Sequence, residues 1–209
     1  QSCQVNACMN LKESYFKNNY AVVRNLTNPL PLRNLPQLYV EGHEDYDYKD
    51  STQIKFIDDE KQVKGSYSRT NHPFYKKLHE ETHKVLENIL ETKLIPMYYF
   101  DRVYYSGQEL TPHTDWHGCE VSVTLQIETT LKSAWDFYVE GTPIKMKDGD
   151  AVIYNGMFAK HWRKPMEGNS KDYHHQIFLH YVIHNSPCYF TILENKQQLI
   201  EKGYPLPYF

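Results

Sequence analysis

No apolar run in this 209-residue chain approaches the roughly 20 residues that cross a bilayer, so no membrane span is expected. No signal-peptide core lies near the N-terminus. Cysteine is scarce. Cys3, Cys8, Cys119 and Cys188 show no CxxC spacing, and a chain of this length does not need a disulfide framework to fold. They read as reduced thiols, and a cytoplasmic, reducing compartment is expected; only Cys3 and Cys8 are close enough in sequence to pair in an exported chain. The net charge is −3 with both signs interleaved, and no basic stripe runs through the sequence, which argues against nucleic acid as a partner. There is no internal repeat and no low-complexity linker, so one domain is expected, although the sequence leaves its oligomeric state open.

What the chain does have is aromatics, 18 Tyr and 9 Phe, together with 11 His. Residues 1–19 are polar and weakly patterned. "YAVVRNL" (20–26) reads as a short strand, and the three prolines of 27–36 as a loop. The acidic, aromatic segment 41–50 reads as a surface loop. The clearest helix spans 72–92, with Asn71 as its cap and Pro73 in the first turn. Phe74, Leu78, Thr82, Val85, Leu86 and Ile89 make its apolar face. After Pro96 the period changes to two. "MYYFDRVYY", "CEVSVTLQIE", "AWDFYVE", "DAVIYNG" and "HHQIFLHYVIH" are rich in β-branched and aromatic residues, and Gly-containing turns separate them. The fold expected is mainly β with flanking helices, a sandwich or barrel. Residues 1–95 would be its support, 96–185 its core and 186–209 a C-terminal extension.

Within the core, "TPHTDWHGCE" (111–120) packs His113, Asp115, His117 and Cys119 into alternate positions. Residues i and i+2 of a strand share a side, so His113 and Asp115 converge if 112–115 is extended. His161 follows the strand "GDAVIY" and a Gly-containing loop, and is the third candidate. Two imidazoles and a carboxylate form the facial triad of non-heme Fe(II) oxygenases, with open positions left on the metal. Zinc also suits this set, but the helical HExxH that many zinc hydrolases carry is absent. A zinc-dependent hydrolase and a non-catalytic, cupin-like metal or ligand-binding protein therefore stand as alternatives. His117 is a spare imidazole, and the soft thiol of Cys119 suits a hard-ligand iron site poorly.

The blocks "RVYYSGQELTPHTDWHGCEVSVTLQI" and "GDAVIYNGMFAKHWRKP…HHQIFLHYV" resemble the Fe(II)/2-oxoglutarate-dependent dioxygenase superfamily, and within it the prolyl-4-hydroxylase-like branch, over about residues 97–184. The resemblance implies a double-stranded β-helix, a cupin-like jelly roll, with His113, Asp115 and His161 as ligands of Fe(II). It implies 2-oxoglutarate and O2 as cosubstrates, ascorbate as a candidate reductant, and release of succinate and CO2 as a substrate is hydroxylated or otherwise oxidised. That substrate would be a small molecule or a peptide, including a free or peptidyl amino acid. The distal carboxylate of 2-oxoglutarate needs a cation. Arg163 ranks first, because alternation puts it on the side of His161. Lys171 matches the family's spacing by count, and His174 by strand alignment. Tyr104 or Tyr105 is a candidate hydrogen-bond donor to 2-oxoglutarate, with Arg102 on the face of Tyr104. The segments 41–50 and 62–72 are candidates to cover the cleft.

Overall fold

In the computed structural model the period-two half of the chain becomes two antiparallel sheets whose inner faces meet. The structure describes residues 3–35, 54–56 and 62–209, with side chains at 11–35, 62–66 and 68–209. The strands are β1 (Tyr20–Val23), β2 (Ile54–Phe56), β3 (Tyr67–Thr70), β4 (Leu94–Tyr105), β5 (Leu110–His113), β6 (Val121–Thr129), β7 (Phe137–Val139), β8 (Thr142–Ile144), β9 (Ala151–Tyr154), β10 (His161–Arg163) and β11 (Tyr173–Ile183). The larger sheet has the order β1-β9-β6-β11-β4-β3-β2, and the smaller β5-β10-β7-β8. From β4 onward the chain steps between the sheets, which is the winding of a double-stranded β-helix. Phe137, Val139 and Ile144 of the smaller sheet pack on Val152 and Tyr154 of the larger, and Leu110 packs on Tyr104 and Phe178.

The outer face of the larger sheet is covered by helices α1 (Cys3–Asn18) and α2 (Lys76–Leu90). Leu78, Leu86 and Leu90 of α2 pack against Tyr99, Val123, Ile177, Leu179 and Tyr181. The observed helix face differs from the expected one. Leu78, His79, Thr82, Leu86 and Leu90 are buried, whereas Phe74 and Val85 are exposed. The capping residue also differs. Pro73–Tyr75 form a 3-10 turn, and the ring of His72, not Asn71, accepts from the Phe74 N–H. Asn71 takes a left-handed φ of 54° and its side chain accepts from the Tyr99 N–H, tying the turn to β4. Helix α1 was not legible in the polar segment 1–19; Leu11 and Tyr15, one turn apart, meet the core, and Tyr15 Oη donates to the Glu120 carbonyl at 2.6 Å. Pro96, taken as a boundary, lies inside β4, where the register with β11 shifts between Leu179 and Tyr181; Pro fits a sheet where the ladder is broken in this way. The C-terminal extension forms α3 (Pro187–Glu194) and α4 (Lys196–Glu201). Among the described residues no helix is long and apolar enough to cross a membrane.

A buried polar cluster ties three strands together behind the inner face. Asp101 (β4) accepts from Arg69 Nε (β3) at 3.1 Å and from His175 Nε2 (β11) at 2.8 Å, and all three side chains are almost fully buried. Burial alone would raise the Asp101 pKa, but the His175 hydrogen bond and the Arg69 charge together hold it below the ordinary carboxylate value. A carboxylate depressed in the folded state contributes stability above its unfolded pKa of about 3.9, and that stability is lost as pH falls through the folded pKa. Asp101→Asn is expected to cost about 3–5 kcal/mol at pH 7, because it strips a buried guanidinium of its counter-charge. The difference from wild type should narrow in melting curves taken at progressively lower pH below 4.

Candidate metal site

The site is built where the smaller sheet brings β10 beside β5. A turn at Ser106-Gly107 reverses β4 into β5; Gly107 takes a φ of +85° that its missing Cβ allows, and its N–H donates to the Met166 carbonyl at 2.8 Å. The antiparallel register then sets His161 opposite His113, and the imidazole rings lie 4.2 Å apart. Asp115 sits two residues past the end of β5 but keeps to the same side. Its Oδ1 is 3.2 Å from His113 Nε2 and its Oδ2 3.4 Å from His161 Nε2. One ligand-capable atom from each of the three side chains lies within 4.8 Å of the others.

The donor set fits a divalent cation. Each imidazole commits Nδ1–H to a backbone carbonyl, His113 to Thr111 at 2.7 Å and His161 to Ala159 at 2.8 Å. This leaves both Nε2 lone pairs facing Asp115, the arrangement that supporting hydrogen bonds give to metal-ligating histidines. His117 lies in a 3-10 turn (His117–Cys119) and stands outside the cluster. Cys119 contacts the Tyr98 hydroxyl at 3.3 Å and contributes no ligand to it.

A cavity of about 90 Å³ opens on the triad, with Tyr98, Phe100, Arg102, Trp116, Phe178 and His180 among its walls. A larger groove, about 490 Å³, runs between 130–136 and 164–172 but contains no triad residue. Beyond the cavity wall, Arg163 is buried under the Trp135 ring, with its guanidinium carbon 4.6 Å from the ring centre. Its Nη1 donates to the Trp135 carbonyl at 2.6 Å, while Nη2 has no partner among the described residues. Burial lowers the Arg163 pKa to about 10, which leaves it a cation at neutral pH. His174 is equally buried. Burial, then the Arg163 charge, push its pKa well below 6.5, so it is neutral, and its Nε2 pairs with Gln176 Oε1 at 2.8 Å. Tyr104 is buried beside His174, and its hydroxyl accepts from Arg102 Nη1 at 3.2 Å. Tyr105 is half-exposed, and Lys171 is exposed on the 164–172 loop. Residues 41–50 lie outside the described residues.

Three further residues shape the site. An added Cβ on Gly156 would meet Asp115 Oδ2 at 2.6 Å and the Cys119 carbonyl at 2.6 Å. Its carbonyl also accepts from the Asp115 N–H at 2.7 Å. Gly156→Ala is therefore expected to displace the carboxylate and weaken metal binding about 10–100-fold, the range typical when a ligand's supporting partner is lost, as read by Co(II) titration. The signal in the sequence was a glycine two residues after the strand 151–154. His180 donates from Nδ1 to Ser122 Oγ at 2.8 Å, since the Ser122 hydroxyl is spent on the Cys119 carbonyl. Its Nε2 is then a bare acceptor with no partner among the described residues. Burial lowers its pKa to about 4. Gln62 reaches the cavity from some 50 residues upstream of the triad, and nothing in the sequence marked it.

No protein-family model and no curated protein matches the sequence. Solved structures do. A prolyl-4-hydroxylase from Pseudomonas putida superposes with a TM-score of 0.58 at 11% identity, covering 85% of this chain and 100% of that one. A 2-oxoglutarate–Fe(II) oxygenase family oxidoreductase from Burkholderia pseudomallei gives 0.59 at 9%, covering 87% and 93%. HygX from Streptomyces hygroscopicus, solved with nickel, 2-oxoglutarate and hygromycin B bound, gives 0.57 at 7%, covering 84% and 87%. At these identities the likeness speaks for the backbone and its winding: the chain has the jelly-roll fold of the 2-oxoglutarate–Fe(II) oxygenases.

Proposed function

We propose that the protein is an Fe(II)- and 2-oxoglutarate-dependent dioxygenase. The observation that carries this reading is the convergence of His113, Asp115 and His161, with both Nε2 lone pairs turned to one point, inside a fold shared with such enzymes. Ferrous iron held there would supply the redox chemistry that couples decarboxylation of 2-oxoglutarate to oxidation of a C–H bond: 2-oxoglutarate, O2 and R–H give succinate, CO2 and R–OH. The chain's own part is binding and orientation. The three side chains would occupy one face of the metal and leave the other open.

Arg163 supplies the cation for the distal carboxylate of 2-oxoglutarate. Its buried Nη2 needs an acceptor, and it lies two residues from His161 along β10. That step is about 6.5–7 Å, the reach of a five-carbon dicarboxylate. His174 is neutral and Lys171 points to solvent, so neither matches this role as well. The Tyr104 hydroxyl, which accepts from Arg102 Nη1, would add a hydrogen bond. The aromatic walls of the cavity limit water around the metal, and the His180 acceptor favours a substrate carrying an N–H or O–H group. A free or peptidyl amino acid fits that description, as do small hydroxylated molecules.

The test is succinate formation from 2-oxoglutarate by metal-depleted protein reloaded with Fe(II). Iron-dependent succinate that rises with the right member of a substrate panel supports the reading. Activity with Zn(II) that Fe(II) abolishes would point to a hydrolase, and metal binding without succinate to a binding protein.

A further inference from the structure

Gln62 sits on the metal ligand His113. Its amide orientation is fixed by chemistry, because a guanidinium only donates. Arg102 Nη2 donates to Gln62 Oε1 at 2.9 Å, so the Gln62 NH2 group faces His113 Nε2, also at 2.9 Å. On the far side of the ring, Nδ1–H is committed to the Thr111 carbonyl. The chain of donors thus runs one way, from Arg102 through Gln62 and His113 to Thr111, and it ends the Gln62 amide on the Nε2 lone pair. The residue that follows Gln62 is fixed by packing. Val63 beside it is buried against Tyr104, Leu110 and Trp135, and its carbonyl accepts from Ser66 Oγ at 3.1 Å.

We propose that Gln62 and the metal compete for the same lone pair of His113, so that loading the site requires the Gln62 side chain to turn away. Gln62 then sets metal affinity from outside the ligand set, while the Thr111 carbonyl holds the ring of His113 in the ligand orientation. The same rotation ends its bond with Arg102, which links metal loading to a rearrangement of the cavity wall. This inference rests on the triad reading, and the experiment separates the two.

Metal-depleted wild type, Gln62→Met, His161→Ala and the double variant are titrated with Co(II) and followed by visible absorption. Met preserves the length of the side chain and removes the donor. Gln62→Met is expected to bind Co(II) about three- to tenfold more tightly, the weight of one neutral hydrogen bond, with an unchanged spectrum. Affinity equal to or weaker than wild type would overturn the proposal. His161→Ala is expected to lose the Co(II) band in both backgrounds; a retained band would overturn the triad reading, and this proposal with it. Histidine 15N NMR of the metal-depleted proteins gives a second measurement that does not depend on affinity. The Nε2 resonance of His113 should move in Gln62→Met, and an unmoved resonance counts against the contact.

Discussion

His161→Ala is expected to abolish both metal binding and 2-oxoglutarate turnover while the protein remains folded. The side chain is buried, but among the described residues its contacts are the Nδ1 bond to Ala159, the approach of Nε2 to Asp115 and ring contacts with His113, Phe137 and Tyr154. Its removal therefore leaves a small void beside the cavity, worth a few degrees in melting temperature for a chain of this size. The metal loses one of three protein ligands, and the remaining His113–Asp115 pair closes only part of a coordination sphere. The loss should exceed the roughly 10–100-fold cost of disturbing a supporting partner. Metal titration and succinate release measure the two effects separately. A folded, fully active His161→Ala protein would remove the basis of the proposed function.

Arg163→Met is expected to separate binding from stability. A fully buried guanidinium with an unpartnered Nη2 is costly to hold, and replacing a buried charge by an apolar side chain of similar volume is often neutral or stabilising. The ligand-free variant should melt at or above the wild-type temperature. Its apparent KM for 2-oxoglutarate should rise about 30- to 1000-fold, the scale of a truncated buried charge contact. The effect on kcat should be smaller, because the anchor binds a part of the molecule that does not react. Lys171→Ala, on the exposed loop, serves as the control and should leave both quantities unchanged. An unchanged KM in Arg163→Met together with a raised KM in Lys171→Ala would move the anchor to the loop.

Much of the β half could be read directly. Their runs of β-branched and aromatic residues located β4, β6, β9 and β11 to within a few residues, because these strands are packed between the helices on one side and the smaller sheet on the other and carry bulky side chains along most of their length. Helix α2 was visible from its period, but its ends and face were not. Asn71 was diverted to pair with β4, and Leu90 replaced Val85 in the core, since the sheet decided which side of the helix was covered. Helix α1 escaped notice because its segment carries no regular apolar period; among its described side chains, Leu11 and Tyr15 are those that join the core.

By itself the sequence marked the candidate residues for the proposed chemistry: an HxD pair at a strand end, a histidine after a later strand, and an arginine two residues on from it. These are local, and alternation within a strand fixes their sides. The tertiary structure decided everything that depends on who stands opposite whom. The β5–β10 register brought His161 to His113, the close pass of Gly156 made room for the Asp115 carboxylate, and packing under Trp135 left Arg163 with an unsatisfied donor. Gln62 shows the division best. Nothing about a lone glutamine predicts its partner, because that contact is made by folding a distant segment over the mouth of the site, and hydrogen bonds of this kind follow from shape and not from spacing.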